Sequence, residues 1–173
     1  MYREHLMRFP LSREMNMIEI ERKFLVITED FKKESFKKSR ITQGFLCTHK
    51  ERTVRVRLKK DKGFITVKGL SSADGLSRFE WEKEISKDEA TALLELCEKG
   101  VIDKIRYEVK IGSHIFEVDE FFGENEGLVV AEVELNSKDE AFMKPEWLGE
   151  EVTGQPKYYN SQLSKKPFKT WKQ

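Results

Sequence analysis

The sequence predicts a mainly β fold of the α+β class: a closed eight-stranded antiparallel β-barrel with a charged lumen and helices packed outside. Three observations predict it. Apolar and polar residues alternate with period two over eight separate stretches between Met17 and Leu135, the pattern of strands with two unlike faces. On nearly every stretch one face is ionic and the other apolar. The signs also segregate by strand, with carboxylates on the first, fifth, seventh and eighth and cations on the third, fourth and sixth. An open sheet with its charged side in water accounts for the first two observations. Solvated faces, however, usually mix Thr, Ser and Gln with Lys. Some of these faces are almost purely ionic, and the third strand prefers Arg, whose fork matches phosphate or carboxylate. A closed barrel with the ionic faces inward accounts for all three.

The first strand, Ile18 to Val26, sets Glu19, Glu21 and Lys23 against Ile18, Ile20 and Phe24. Thr28 to Lys38 reads as a helix with a capping Thr and apolar Phe31 and Phe36, and its lysines with Arg40 read as a solvated face. The second strand is Ser39 to Leu46. The third, Arg52 to Lys60, opposes Arg55, Arg57 and Lys59 to Val54, Val56 and Leu58. Lys60-Asp61-Lys62-Gly63 is a hairpin turn into the fourth strand, Gly63 to Lys68, where Thr66 and Lys68 oppose Ile65 and Val67. After a polar loop from Gly69 to Gly75, the fifth strand, Ser77 to Ile85, opposes Arg78, Glu80, Glu82 and Glu84 to Phe79, Trp81 and Ile85.

Ser86 to Lys99 is a helix with Ser86 as N-cap, Glu89 as its capping-box partner, and Ala90, Leu93, Leu94 and Cys97 on one face; Gly100 ends it. The sixth strand, Val101 to Val109, carries Lys104 and Arg106 inward, and the seventh, His114 to Phe121, carries Glu117 and Asp119. A turn from Gly123 to Gly127 leads to the eighth, Leu128 to Leu135, with Glu132 and Glu134 against Ala131, Val133 and Leu135. A short helix (Ser137 to Phe142), a loop (Pro145 to Glu151) and a short helix (Tyr159 to Lys165) follow. Phe79, Trp81 and Tyr107 read as outward core against helices, and His49 and His114 as loop residues.

Composition sets bounds on function. Charged residues make up 36% of the 173, against about 25% on average. They nearly cancel, 32 basic against 31 acidic, which argues against a nonspecific nucleic-acid binder. No window is long and apolar enough to span a membrane. Residues 1–16 lack the apolar run of a secretory signal and are read as a leader, either a misassigned start upstream of Met15 or Met17 or a disordered extension; the domain is expected over 17–173. Cys47 and Cys97 lack CxxC spacing and read as free thiols in a reducing cytoplasm. The three histidines form no zinc pattern, and the usual glycine-loop nucleotide motifs are absent.

Burying so many like charges is costly unless partners arrive. A polyphosphate would satisfy the Arg/Lys wall, and divalent cations the Glu/Asp wall. Oxygen-only ligands favour Mg2+ or Mn2+. Such an ion would bridge carboxylates to phosphate and activate a water for in-line attack.

The run Glu19-x-Glu21-x-Lys23 resembles the signature of the CYTH proteins, also called triphosphate tunnel metalloenzymes. It stands here with Thr53-Val-Arg-Val-Arg57, Ile65-Thr-Val-Lys-Gly69, Glu80-Trp-Glu82, Lys104-Ile-Arg-Tyr107, Phe116-Glu-Val-Asp119 and Ala131-Glu-Val-Glu134, in the family's order. Trp147 to Thr153 and Tyr158-Tyr-Asn160 also look like the bacterial short-chain branch, and the resemblance covers about Met17 to Phe168.

The resemblance implies an eight-stranded tunnel that hydrolyses inorganic tripolyphosphate with Mg2+ or Mn2+. Adenylate cyclase, thiamine triphosphatase and a non-catalytic polyphosphate-binding module are alternatives on the same fold. It further implies Glu19, Glu21, Asp119, Glu132 and Glu134 as metal ligands, with Glu80 and Glu82 supporting a second metal or orienting water. Lys23, Arg55, Arg57, Lys68, Lys104 and Arg106 would hold phosphates, and Glu82, Asp119 and Lys23 form the catalytic set. The expected partner is tripolyphosphate or another triphosphate-bearing small molecule, with no membrane or nucleic acid, in a possible homodimer. Phe45 departs from the tyrosine common in Gln43-Gly44-Phe45-Leu46, and Lys157 stands where arginine is common, as a possible lid contact.

Overall fold

The computed structural model describes residues 17–171, so the leader expected over residues 1–16 lies outside the described residues. Nine strands form one sheet: β1 (Ile18–Val26), β2 (Lys37–His49), β3 (Arg52–Lys59), β4 (Lys62–Ser71), β5 (Ser77–Ser86), β6 (Ile102–Ile111), β7 (His114–Phe121), β8 (Val129–Glu134) and β9 (Leu148–Glu151). Their order is β5-β4-β3-β2-β6-β7-β8-β1-β9, and β1 also pairs with β5. One edge of β1 runs along β8, with Lys23 opposite Glu132. On the other edge, Ile18 to Ile20 pair with β5, and Phe24 to Val26 pair with β9. Eight strands thus close a barrel, as the sequence predicts, and β9 sits beside the closing seam. The pairings between these strands are antiparallel.

Three helices, α1 (Phe31–Glu34), α2 (Lys87–Leu94) and α3 (Asn160–Leu163), lie outside the ladders. The helix expected from Thr28 to Lys38 is only one turn. From Lys37 onward the chain pairs with β6 from Glu108 to Ile102, and ladder hydrogen bonds override weak local helix propensity. α2 starts with the expected capping box: Ser86 Oγ accepts from Glu89 N at 3.2 Å, and the Glu89 carboxylate accepts from Ser86 N at 2.8 Å. It ends at Leu94, short of the predicted Lys99. Residues 137–142 form a turn in place of the expected helix, and a strand, β9, replaces part of the expected loop.

The outer apolar faces are covered in two places. Phe24, Tyr107, Phe116, Val118, Ala131 and Val133 on β1, β6, β7 and β8 pack with Phe31 of α1 and Trp147. On β4, Gly63 lies under α2. A Cβ there would meet Ala90 and stand 2.7 Å from the Ser86 carbonyl oxygen, so the glycine permits close approach of the helix. A second cluster joins Phe45, Ile102, Phe121 and Val130 from the strands to Val152, Tyr158 and Leu163 from the C-terminal segment. Phe45, Ile102, Phe121 and Val130 lie on the inward face by register, so this cluster fills one end of the barrel. Phe79 is exposed rather than covered, while Tyr107 is core. His114 opens β7 and His49 ends β2, where loops were expected.

Candidate active site

Period-two alternation in eight closed strands leaves an ionic interior. It encloses a cavity of about 590 Å³. At one end the lining includes Ser113, His114, Asn136 and Glu140 from the β6–β7 turn and the chain after β8; at the other stand Tyr159, Asn160 and Ser161 of the C-terminal segment. Between them lie Glu19, Glu21, Lys23, Arg55, Arg57, Lys68, Arg78, Glu80, Glu82, Arg106, Glu117, Glu132 and Glu134.

Cross-strand register explains which charges meet. Lys68 opposes Glu80 on the β4–β5 ladder, and its Nζ lies 2.6 Å from Glu80 and 3.0 Å from Glu19. Arg57 Nη2 donates to both oxygens of Glu82 at 3.0 and 2.9 Å. Thr66 Oγ1 donates to Glu82 at 2.7 Å and accepts from Arg55 at 3.1 Å. Lys23 Nζ lies 2.6 Å from Glu132, its direct partner across β1 and β8. Arg106 pairs with Asp119 at 2.7 Å, touches Glu117, and reaches Glu132 at 3.5 Å.

These pairs set the proton affinities. Burial opposes the charge on Glu132, but Lys23, Arg106 and Lys104 overcome it and hold its carboxyl well below the ordinary range. Glu134 moves the other way: burial and the facing carboxylates of Glu19, Glu117, Glu80 and Glu21 raise it. Burial, with Arg57 and Arg106 nearby, lowers Arg55 to about 10. Like charges therefore crowd one another around Glu134 and around Arg55.

Most of the predicted residues come together here. Glu19, Glu21, Lys23, Arg55, Arg57, Lys68, Glu82, Arg106, Glu132 and Glu134 all line the cavity. Asp119 and Lys104 do not. They are 2% and 0% exposed and sit beyond the end of the cavity, with Lys104 Nζ 2.6 Å from Asp119 and both Asp119 oxygens bonded by Arg106. Their strand register points inward, but at the level of Val130 and Phe121, where the barrel is filled. Burial, with Arg106 nearby, lowers Lys104 to about 8.

Phe45 lines the cavity and packs with Ile102 and Phe121, using its ring alone. Lys157 lies over the rings of Tyr158 and Trp171, not on the cavity lining. Sequence reasoning assigned no role to Arg78 or Tyr159. Arg78 shares the inward register of Glu80 and Glu82, so the signal for it was present in the alternation. Tyr159 comes from a long-range fold of the chain, which local pattern does not show.

Among the described residues no three carboxylate, imidazole or thiol groups converge at metal-ligand spacing. Lysine and arginine side chains stand between the carboxylates instead. The donor chemistry still suits a hard cation. Glu19, Glu21, Glu132 and Glu134 offer only oxygen, and among the described residues Glu134, unlike the other three, has no lysine or arginine partner.

Comparison with known proteins bears on this site. The CYTH domain family profile matches residues 17–167. An inorganic triphosphatase of Acetivibrio thermocellus is 50% identical over 157 residues, spanning 90% of this chain and 98% of that protein. One of Nitrosomonas europaea is 38% identical over 152 residues, spanning 86% and 97%. A crystal structure of an inorganic triphosphatase superposes with a TM-score of 0.59 at 33% identity, over 84% of this chain and 93% of that one.

Proposed function

The chain belongs to the CYTH domain family, and on that premise we propose that it is an inorganic triphosphatase, cleaving tripolyphosphate to pyrophosphate and phosphate with a divalent cation. The carrying observation is the meeting in one cavity of two acidic strands, Glu19 and Glu21 beside Glu132 and Glu134, with the cationic wall of Arg55, Arg57, Lys68 and Arg106. The 50% identical triphosphatase supports the substrate.

Glu19, Glu21, Glu132 and Glu134 would hold the metal, and their oxygen-only set suits Mg2+ or Mn2+. When bound, such an ion supplies positive charge to the reacting phosphoryl group and activates water. The chain's own side chains do the rest. Arg55, Arg57 and Lys68 exchange carboxylate partners for phosphate oxygens, and Arg106, still held by Asp119, exchanges its Glu117 contact, so the cavity trades internal ion pairs for ion pairs with substrate. Glu82, steadied by Thr66, accepts a hydrogen bond from the incoming water and orients it. Lys23 holds Glu132 in place and faces a phosphate oxygen. Asp119 has no free oxygen for a metal, so it acts as a positioning residue that fixes the Arg106 fork, with Lys104 neutralising it from behind. The proposal includes a cytoplasmic location, which the free thiols of Cys47 and Cys97 fit, and a homodimer, to be checked by sedimentation.

Phosphate release from tripolyphosphate, ATP and thiamine triphosphate, each with Mg2+ and Mn2+, tests the reading. Turnover is expected on tripolyphosphate in preference to the other two. Tight tripolyphosphate binding without turnover of any substrate would sink the enzymatic proposal, and cyclic AMP with pyrophosphate from ATP would redirect it to a cyclase.

A further inference from the structure

Arg78 is the cavity cation that the chemistry above leaves without a task. It lies at the start of β5, directly opposite Glu19 on the short ladder that closes the barrel. Its Nε donates to Glu19 Oε2 at 3.2 Å, and its Nη2 donates to Glu21 Oε1 at 3.4 Å. Among the described residues these are its carboxylate partners. The other cavity arginines differ: Arg57 rests on Glu82, and Arg106 chiefly on Asp119 and Glu117. Arg78 alone among them spans both acidic residues of β1.

We propose that Arg78 is a stand-in for the metal: in the substrate-free protein its guanidinium holds Glu19 and Glu21, and it yields them more readily to a cation that arrives together with a polyphosphate than to a cation alone. The inference rests on the reading of Glu19 and Glu21 as ligands. A divalent ion cannot take those oxygens while the guanidinium spans them. A displaced guanidinium, with 21% of its side chain exposed, cannot be left without an anion at low cost. The polyphosphate supplies that anion, so Arg78 turns from carboxylate to phosphate oxygen. Metal and substrate binding are thereby coupled, and the coupling acts equally in both directions. A free metal ion binds weakly, and a metal–polyphosphate complex binds well.

Mn2+ titration of the substrate-free protein, followed by the electron paramagnetic resonance of free Mn2+, reads this without turnover. Arg78→Met is expected to bind Mn2+ about tenfold more tightly than the wild type, because a charge-assisted competitor is gone. Arg78→Lys, which replaces the spanning fork by a single point of charge, is expected to fall between the two and serves if Arg78→Met does not fold. Mn2+ affinity that is unchanged or weakened in the folded variant overturns the proposal. Glu21→Gln separates the two layers: it should weaken Mn2+ binding about tenfold. No change there overturns the ligand reading itself, whatever Arg78 does.

Discussion

Lys23 and Glu132 stand opposite each other on β1 and β8, and the lysine Nζ lies 2.6 Å from the glutamate Oε1. The pair is nearly enclosed, with 5% and 16% of the side chains exposed. One group of each sign, from the first and eighth strands, thus neutralises the other.

Glu132→Gln should cost activity about 100-fold, chiefly through metal affinity. It also leaves Lys23 without its nearest anion, at about 1–3 kcal/mol of stability. Adding Lys23→Met should return most of the stability and none of the activity. Urea unfolding and phosphate release on the single and double variants check this; recovery of both together would show that the pair is only structural.

Arg57→Ala should act on substrate binding. Its guanidinium rests on Glu82 alone among the described carboxylates, so the fold loses little while a phosphate contact disappears. The expected result is a KM for tripolyphosphate raised about tenfold or more, one charge-assisted contact's worth. Initial rates against substrate concentration give the answer, and a wild-type KM would remove Arg57 from the binding wall.

Acid stability offers a test away from the cavity. The side-chain hydrogen bond from Arg22 depresses the carboxyl of Glu151, with burial opposing. A carboxyl depressed in the folded state stabilises above its unfolded pKa of about 4.3 and loses that contribution as pH falls through the folded value. Glu151→Gln should therefore cost about 0.5 kcal/mol at neutral pH, because the pair is part-exposed and screened. The difference from wild type should vanish towards pH 2–3, a limit set by that linkage. Melting temperature against pH resolves it, and a pH-independent difference would refute the ion-pair account.

Gly63→Ala should destabilise by about 1–3 kcal/mol, since overpacking forces neighbours apart. The new Cβ would stand 2.7 Å from the Ser86 carbonyl oxygen and 2.9 Å from Ile85, under the first turn of α2. Thermal unfolding measures the cost. An unchanged melting temperature would mean that α2 can lift from β4 freely.

The sequence carried the barrel well because strict alternation is a local signal. β1 runs from Ile18 to Val26 as predicted, and Glu19, Arg57, Lys68 and Glu132 face the lumen as expected. Local pattern was silent where depth or distant pairing decides. Alternation tells which face a residue shares but not how far along the axis it sits, so Asp119 and Lys104 looked like Glu117 and Arg106. β9 is four residues long and owes its extended form to the edge of β1. α1 shrank because the hydrogen bonds of Lys37 and Lys38 go to β6. Arg78 was seen on the right face, yet its meaning depends on the seam with β1, which no local window contains.

The apolar cluster and the C-terminal segment that occupy one end of the barrel have a bearing on turnover. At that end apolar side chains and the half-buried Tyr159 and Asn160 replace the ionic lining, while His114, Asn136 and Glu140 line the other end. A phosphate chain lying along the axis would meet ionic side chains over only part of the barrel's length, which bounds how long an anion the cavity can take and turn over.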